Sequence, residues 1–102
     1  MTPYQISQYQ KRYTLDDYVC QSCGHFACQI AHRIAKTKTN YNVYGNEIID
    51  HNFNLVSVCS LKCNDSFNIG NKPGTSQKLV NLIRSNNEKL LTSQYINNIL
   101  NK

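Results

Sequence analysis

HNFNLVSVCSLKCNDSFNIG occupies residues 51–70 of this chain. Its first half is dense in apolar and β-branched residues, which predicts a short strand from Phe53 to Val58. The strand runs straight into Cys59 and Cys63. Their i, i+4 spacing puts both sulfurs on one side of a helical turn, so a helix is expected to open at Cys59 or Ser60 and to continue to about Ile69. Gly70 and Pro73 then stop it.

A cysteine pair at a strand end needs a second pair to close on, and the chain carries one upstream. Cys20-Gln-Ser-Cys23-Gly24 is a C-x2-C turn in which glycine tolerates the positive φ that two converging thiolates demand. Cys20, Cys23, Cys59 and Cys63 together make a four-thiolate set of the closed, structural-zinc type. A redox C-x-x-C would open a helix inside a strand-helix-strand pattern, which the surrounding sequence lacks. His25 and Cys28 flank the first pair and are alternative ligands; otherwise Cys28 reads as a small buried apolar residue. To bring the pairs together, Gln29 to Ala35 is expected to be a strand paired with Phe53 to Val58. The intervening KTKTNYNVYGNEIIDHN, from Lys36 to Asn52, reads as a long exposed loop.

A staple suits the size of the chain, because 102 residues bury too little apolar surface for more than marginal stability. Five cysteines are an odd number, and the N-terminal MTPYQISQYQKRY has no apolar export segment, so metal is expected rather than a disulfide framework, in an intracellular setting. No apolar run is long enough to span a membrane. Lys and Arg outnumber Asp and Glu by 11 to 6, a balance that favours a polyanionic partner and is also compatible with ordinary solubility.

The flanks read as helices. Thr2 and Pro3 fit an N-cap and first turn, and Ile6, Tyr9 and Tyr13 follow at helical spacing up to Asp16. The tyrosines are expected on the core; beside Lys11 and Arg12 they would alternatively form a stacking and phosphate surface. At the other end, Leu79, Val80, Leu82 and Ile83 precede a break at residues 85–87. Leu90, Leu91, Ile96, Ile99 and Leu100 follow, with Thr92 as a helix N-cap. Two short amphipathic helices are expected to pack on the core or to mediate a homodimer; a DNA-reading helix-turn-helix lacks its third helix. The organisation expected is a helical flank over 1–17, a zinc domain over 18–73 and a helical tail over 74–102.

C-x2-C, then AHRIA, then NLVSVC, then a second cysteine followed by Asn and, six residues on, glycine resembles the HNH endonucleases, and in particular their compact phage and large-virus forms. The resemblance covers residues 18–73 and implies an α+β fold, a small zinc-stapled ββα-metal domain of treble-clef type, and metal-dependent hydrolysis of DNA phosphodiester bonds. It implies His32 as the general base on water, Asn54 as the amide that ties down the loop and positions that histidine, and Asn64 with Asn68 as holders of a catalytic Mg²⁺ or Mn²⁺. Asn64 and Asn68, four apart, would share one helix face. Arg33, Lys36, Lys38, Lys62 and Lys72 would meet DNA phosphates. Two departures bear on activity. Ala31 stands where the family often has a metal ligand, and C-x3-C is one residue longer than usual. Asp50, His51 and Asp65 are the acidic or imidazole groups able to supplement the amides, and Asp50-His51 is a rival catalytic pair. Without a competent ion site, the same frame is a catalytically silent zinc module that binds nucleic acid or a protein partner.

Overall fold

The computed structural model describes residues 1–70, 72–86 and 89–101. Helix α1, Pro3–Leu15, starts at a capping box in which the Thr2 hydroxyl accepts the Gln5 N–H and the Gln5 side chain accepts the Thr2 N–H. After the Cys20 turn comes β1, Gln29–His32, which pairs antiparallel with β2, Leu55–Val58. Both strands are shorter than expected. Between them lie α2, Lys38–Tyr44, α3, Asn46–Ile49, and a 3-10 turn over Asn52–Asn54; α4, Leu61–Asp65, α5, Pro73–Asn86, and α6, Ser93–Leu100, follow β2. The result is a small α+β fold with a two-stranded sheet.

The expected exposed loop over residues 36–52 is a correction. Thr37 caps α2 through the Asn40 N–H, and Gly45, at φ +85, ends α2 and turns the chain into α3. That turn drives Ile48 and Ile49 inward. They join Phe53, Ile34 and Ile69 in the main core, which α5 and α6 complete with Leu79, Val80, Ile83, Ile96 and Leu100. The apolar faces of the C-terminal helices are therefore spent largely on this core. Thr92 caps α6 as expected; of the break at residues 85–87, Ser85 and Asn86 are helical and Asn87 lies outside the described residues.

A second correction concerns α4, which ends at Asp65 rather than near Ile69. Two bonds explain it. The Ser66 hydroxyl donates to the Cys63 carbonyl at 2.6 Å, competing with the helical ladder, and the Ile69 N–H donates to the Arg33 carbonyl at 2.8 Å, drawing the chain out alongside the end of β1.

Register fixes the two faces of the sheet. Ile30 opposite Ser57 and His32 opposite Leu55 share one face; Gln29 opposite Val58 and Ala31 opposite Val56 share the other. On the first face Ser57 bonds Asp16 and the Arg12 carbonyl, which places α1 there. On the second, Ala31, Val56 and Val58 pack with Cys20 and Cys63, which places α4 there.

Helix α1 is held by polar groups rather than tyrosines. Gln8, Arg12 and Asp16, four apart, are its buried face. Arg12 is fully buried and donates to the Asn52 carbonyl and side chain and to the Leu91 carbonyl, while Asp16 accepts from the Ser57 N–H and the Ser93 hydroxyl. Burying this pair between α1, the 3-10 turn, β2 and α6 takes Arg12 out of any phosphate-binding surface.

Candidate metal centre and reacting side chains

The ligand atoms of Cys20, Cys23, Cys59 and Cys63 all lie within 4.8 Å of one another, and all four are free thiols. Sulfurs at the corners of a tetrahedron with Zn–S bonds of about 2.3 Å would be about 3.8 Å apart. Here the Sγ atoms of Cys23 and Cys59 are 3.3 Å apart and those of Cys59 and Cys63 are 3.7 Å apart. The cluster is thus the right size and chemistry for a metal ion such as zinc. Local sequence builds it. Gly24, at φ +83, lets its N–H reach back to the Cys20 carbonyl, and the Cys20 N–H donates to the His25 carbonyl. Gln21 and Cys28 donate to the carbonyls of Ser57 and Val58, so β2 locates the first cysteine turn. Ser60 caps α4 and accepts the Cys63 N–H, which orients the second pair.

Crowded thiols resist ionising together. Burial opposes ionisation of Cys20, yet the backbone N–H groups of Cys23 and Ser22 outweigh it and bring the thiol down to about 6. Hydrogen bonding with the Cys23 sulfur, with burial and the Cys63 and Cys20 sulfurs adding to it, pushes the Cys59 thiol up to about 12. A metal ion binds such sulfurs as thiolates, so its affinity rises with pH. His25 Nδ1 lies 3.1 Å from Cys23 Sγ, within hydrogen-bonding distance of that sulfur. Cys28 is exposed, not buried as expected, and its thiol donates to the Cys59 carbonyl.

His32, at the end of β1, faces α1. Its ring meets Tyr9 edge-on at 6.0 Å, and Nε2 is 3.4 Å from Asp50 Oδ1, which also accepts the Tyr41 hydroxyl at 2.8 Å. Burial lowers its pKa; the Asp50 carboxylate opposes that effect and Lys36 adds to it, leaving a neutral imidazole at pH 7. With Nε2–H directed at Asp50, Nδ1 keeps the lone pair that a base needs. Asn54, fully buried, accepts the Ile34 N–H and donates to the carbonyls of Ile34 and Ile49. It ties the strand end that carries His32 to the segment that carries Asp50.

The expected partnership of His32 with Asn64 and Asn68 is not assembled. Helix α4 covers the Ala31 face of the sheet while His32 points from the other, and Asn68 falls beyond the end of α4, where its side chain accepts the Gly70 N–H. No bond among the described residues joins either amide to His32. Among the described residues, the four cysteines are the one group of three or more His, Cys, Asp or Glu gathered closely enough for a metal. Asp50 is the carboxylate that does stand beside His32. His51 turns elsewhere, accepting the Phe53 N–H on Nδ1. Lys36, Lys38, Lys62 and Lys72 are exposed, but Arg33 is only 3% exposed and leaves the set of surface phosphate contacts. It directly follows the last residue of β1, where the chain bends and carries its side chain into the body of the protein.

His51 gives an acid-stability signature. Burial, with Lys11 and Arg12 nearby, lowers its pKa to about 4. The unfolded chain takes up this proton near pH 6.5 and the folded chain does not until about pH 4, so stability present above pH 6.5 drains away through that window. The share at stake is on the order of 2 kcal/mol after allowance for solvent screening. In His51→Asn, whose amide oxygen can still accept the Phe53 N–H, denaturant titrations should show a flatter fall between those pH values than wild type; an equal fall contradicts the assignment.

Comparison of the chain with protein-family models, with curated proteins and with solved structures finds no match in any of the three. No described helix is long and apolar enough to cross a membrane.

Proposed function

We propose that this chain is a zinc-stapled phosphodiesterase of the HNH type, acting on DNA, with His32 as the base. The observation that carries the reading is His32 set 3.4 Å from Asp50 on a hairpin whose ends the four cysteines clamp and whose loop Asn54 ties. The cysteine order, the two strands and α4 follow the ββα-metal sequence that the motif resemblance implies. His32 Nδ1 takes the proton from the attacking water, and Asp50 stabilises the imidazolium that results. Exposed Lys36 beside this pair offers charge to the phosphate. Asn64 and Asn68 do not fit as joint ligands with His32. Asp50 is the carboxylate beside His32, but its side chain is 2% exposed and its Oδ1 already meets Tyr41 and His32, so as it stands it does not fit a hydrated Mg²⁺ or Mn²⁺, and no step is routed through one.

A second reading is a catalytically silent zinc module that binds nucleic acid or a protein. It is favoured by the shielding of His32, whose side chain is 7% exposed, and by the apolar Ala31 where a ligand would be useful. Supercoiled plasmid incubated with Mg²⁺, Mn²⁺ or no added divalent ion separates the two. The enzyme reading expects metal-dependent nicking that His32→Ala reduces at least about 100-fold. Absence of nicking, or equal nicking by the variant, overturns it, and DNA binding that weakens steeply with salt then supports the second reading.

A further inference from the structure

Asp50, buried at the C-terminal end of α3, sits among phenols. Burial first, and then nearby carboxylates with Asp50 among them, raise Tyr4, Tyr9 and Tyr41 above the ordinary tyrosine value, so all three stay protonated near neutral pH. Among the described residues Tyr41 is the one phenol that bonds Asp50, donating to Oδ1 at 2.8 Å. The Tyr4 hydroxyl donates instead to the Glu47 carbonyl, and Tyr9 packs by its ring against His32.

Local sequence places Tyr41 for this bond. Thr37 caps α2 through the Asn40 N–H and Gly45, at φ +85, ends it, so Tyr41 is the central residue of a short helix that has no buried residue. The turn at Gly45 then brings the end of α3 back to it. Asp50 Oδ1 also lies 3.4 Å from His32 Nε2. The phenol bond is much the shorter of the two, so Tyr41 rather than the imidazole fixes the carboxylate. A carboxylate fixed there offers an acceptor to Nε2 and selects the ring form with Nε2–H, which leaves the lone pair on Nδ1. The phenol also draws charge from Oδ1 and so limits how far Asp50 favours the imidazolium.

We propose that Tyr41 is a positioning residue for His32: its hydroxyl holds Asp50 Oδ1 against Nε2, fixing the tautomer of the ring and moderating its basicity. Its catalytic meaning rests on His32 being the base; the relay from Tyr41 through Asp50 to His32 exists whether or not the chain cuts DNA. Besides burial, the charges acting on His32 are Asp50 and Lys36, and Tyr9 from α1 and Tyr41 from α2 are the neutral titratable groups beside the pair.

The test is a proton and nitrogen-15 titration of the His32 ring in the full-length metal-loaded chain. Neutral wild type, which needs no variant, should carry its ring proton on Nε2. Tyr41→Phe keeps the ring of a half-buried residue and removes only the hydroxyl, so the fold should persist. With the phenol gone, Oδ1 should stabilise the imidazolium more, and the His32 pKa should rise by about one pH unit. Tyr9→Phe should move it little. Asp50→Asn removes the charge through which Tyr41 acts, so Tyr41→Phe added to it should have no further effect. The acid limb of plasmid nicking should move upward with the titration in Tyr41→Phe, because His32 must be neutral to accept a proton. A wild-type ring protonated on Nδ1, an unchanged or lower His32 pKa in folded Tyr41→Phe, or an equal rise in the Asp50→Asn background overturns the proposal. Plasmid left intact by wild type ends the catalytic reading alone, since the titration still decides the relay.

Discussion

Cys59→Ser should abolish the folded state at room temperature. Cys59 lies between Cys23 and Cys63 in the cluster, so losing its thiolate opens the site at its middle. Structural zinc contributes about 10 kcal/mol or more in small metal-stapled domains, whereas a domain's whole stability is about 5–15 kcal/mol. The first cysteine turn and β2 meet through single hydrogen bonds from Gln21 and Cys28, and these cannot replace the metal. Circular dichroism and proton spectral dispersion should collapse in this variant and in wild type stripped by chelator. Cys28→Ser, at an exposed position outside the four-sulfur set, should keep both fold and metal. A folded Cys59→Ser chain would mean that the apolar core suffices, which a domain of this size seldom achieves.

Arg12→Met should produce the second largest loss, about 3–5 kcal/mol in chemical denaturation, because it leaves the buried Asp16 carboxylate without its cation and strands the carbonyls of Asn52 and Leu91. The mechanism predicts a specific recovery. Adding Asp16→Asn to Arg12→Met removes the uncompensated charge, so the double variant should be more stable than Arg12→Met alone. If the double variant is the weaker of the two, Arg12 acts through packing and its charge is incidental.

These two results bear on what could be read from residues alone. The cysteine frame was legible because metal chemistry restricts spacing: C-x2-C followed by glycine and C-x3-C after a β-branched run leave little freedom. The pairing of the strand from Gln29 with the one ending at Val58 followed from it, though it runs over Gln29–His32 and Leu55–Val58 and not over the longer Gln29–Ala35 and Phe53–Val58 expected. The starts of α1 and α6 were legible independently, from Thr2 and Thr92 as N-caps.

What was hidden has physical causes. Gln8, Arg12 and Asp16 recur every four residues and form the buried face of α1, but polar residues are not sought inside, so the tyrosines attracted the assignment. Residues 36–52 looked like solvated loop because Lys and Asn dominate them, although Ile48 and Ile49 belong to the main core and Gly45 marks the turn between α2 and α3. Alternation along the strand expected from Gln29 to Ala35 already placed His32 and Arg33 on opposite sides, although the observed strand ends at His32. Following α4 back onto Ala31 would have separated His32 from Asn64 and Asn68, and turned Arg33 from a surface contact into a buried cation. That step needed to know which face α4 covers, which depends on tertiary packing.

The closed four-sulfur staple is the claim on which the hairpin, its loop tie and the His32–Asp50 pair all depend. Zinc K-edge absorption on the purified chain tests it most directly. The structure predicts one bound zinc with four sulfur scatterers at about 2.3 Å. A chain that binds no zinc, or a first shell of three sulfurs with a nitrogen at about 2.0 Å, as if His25 had displaced Cys23, would contradict it.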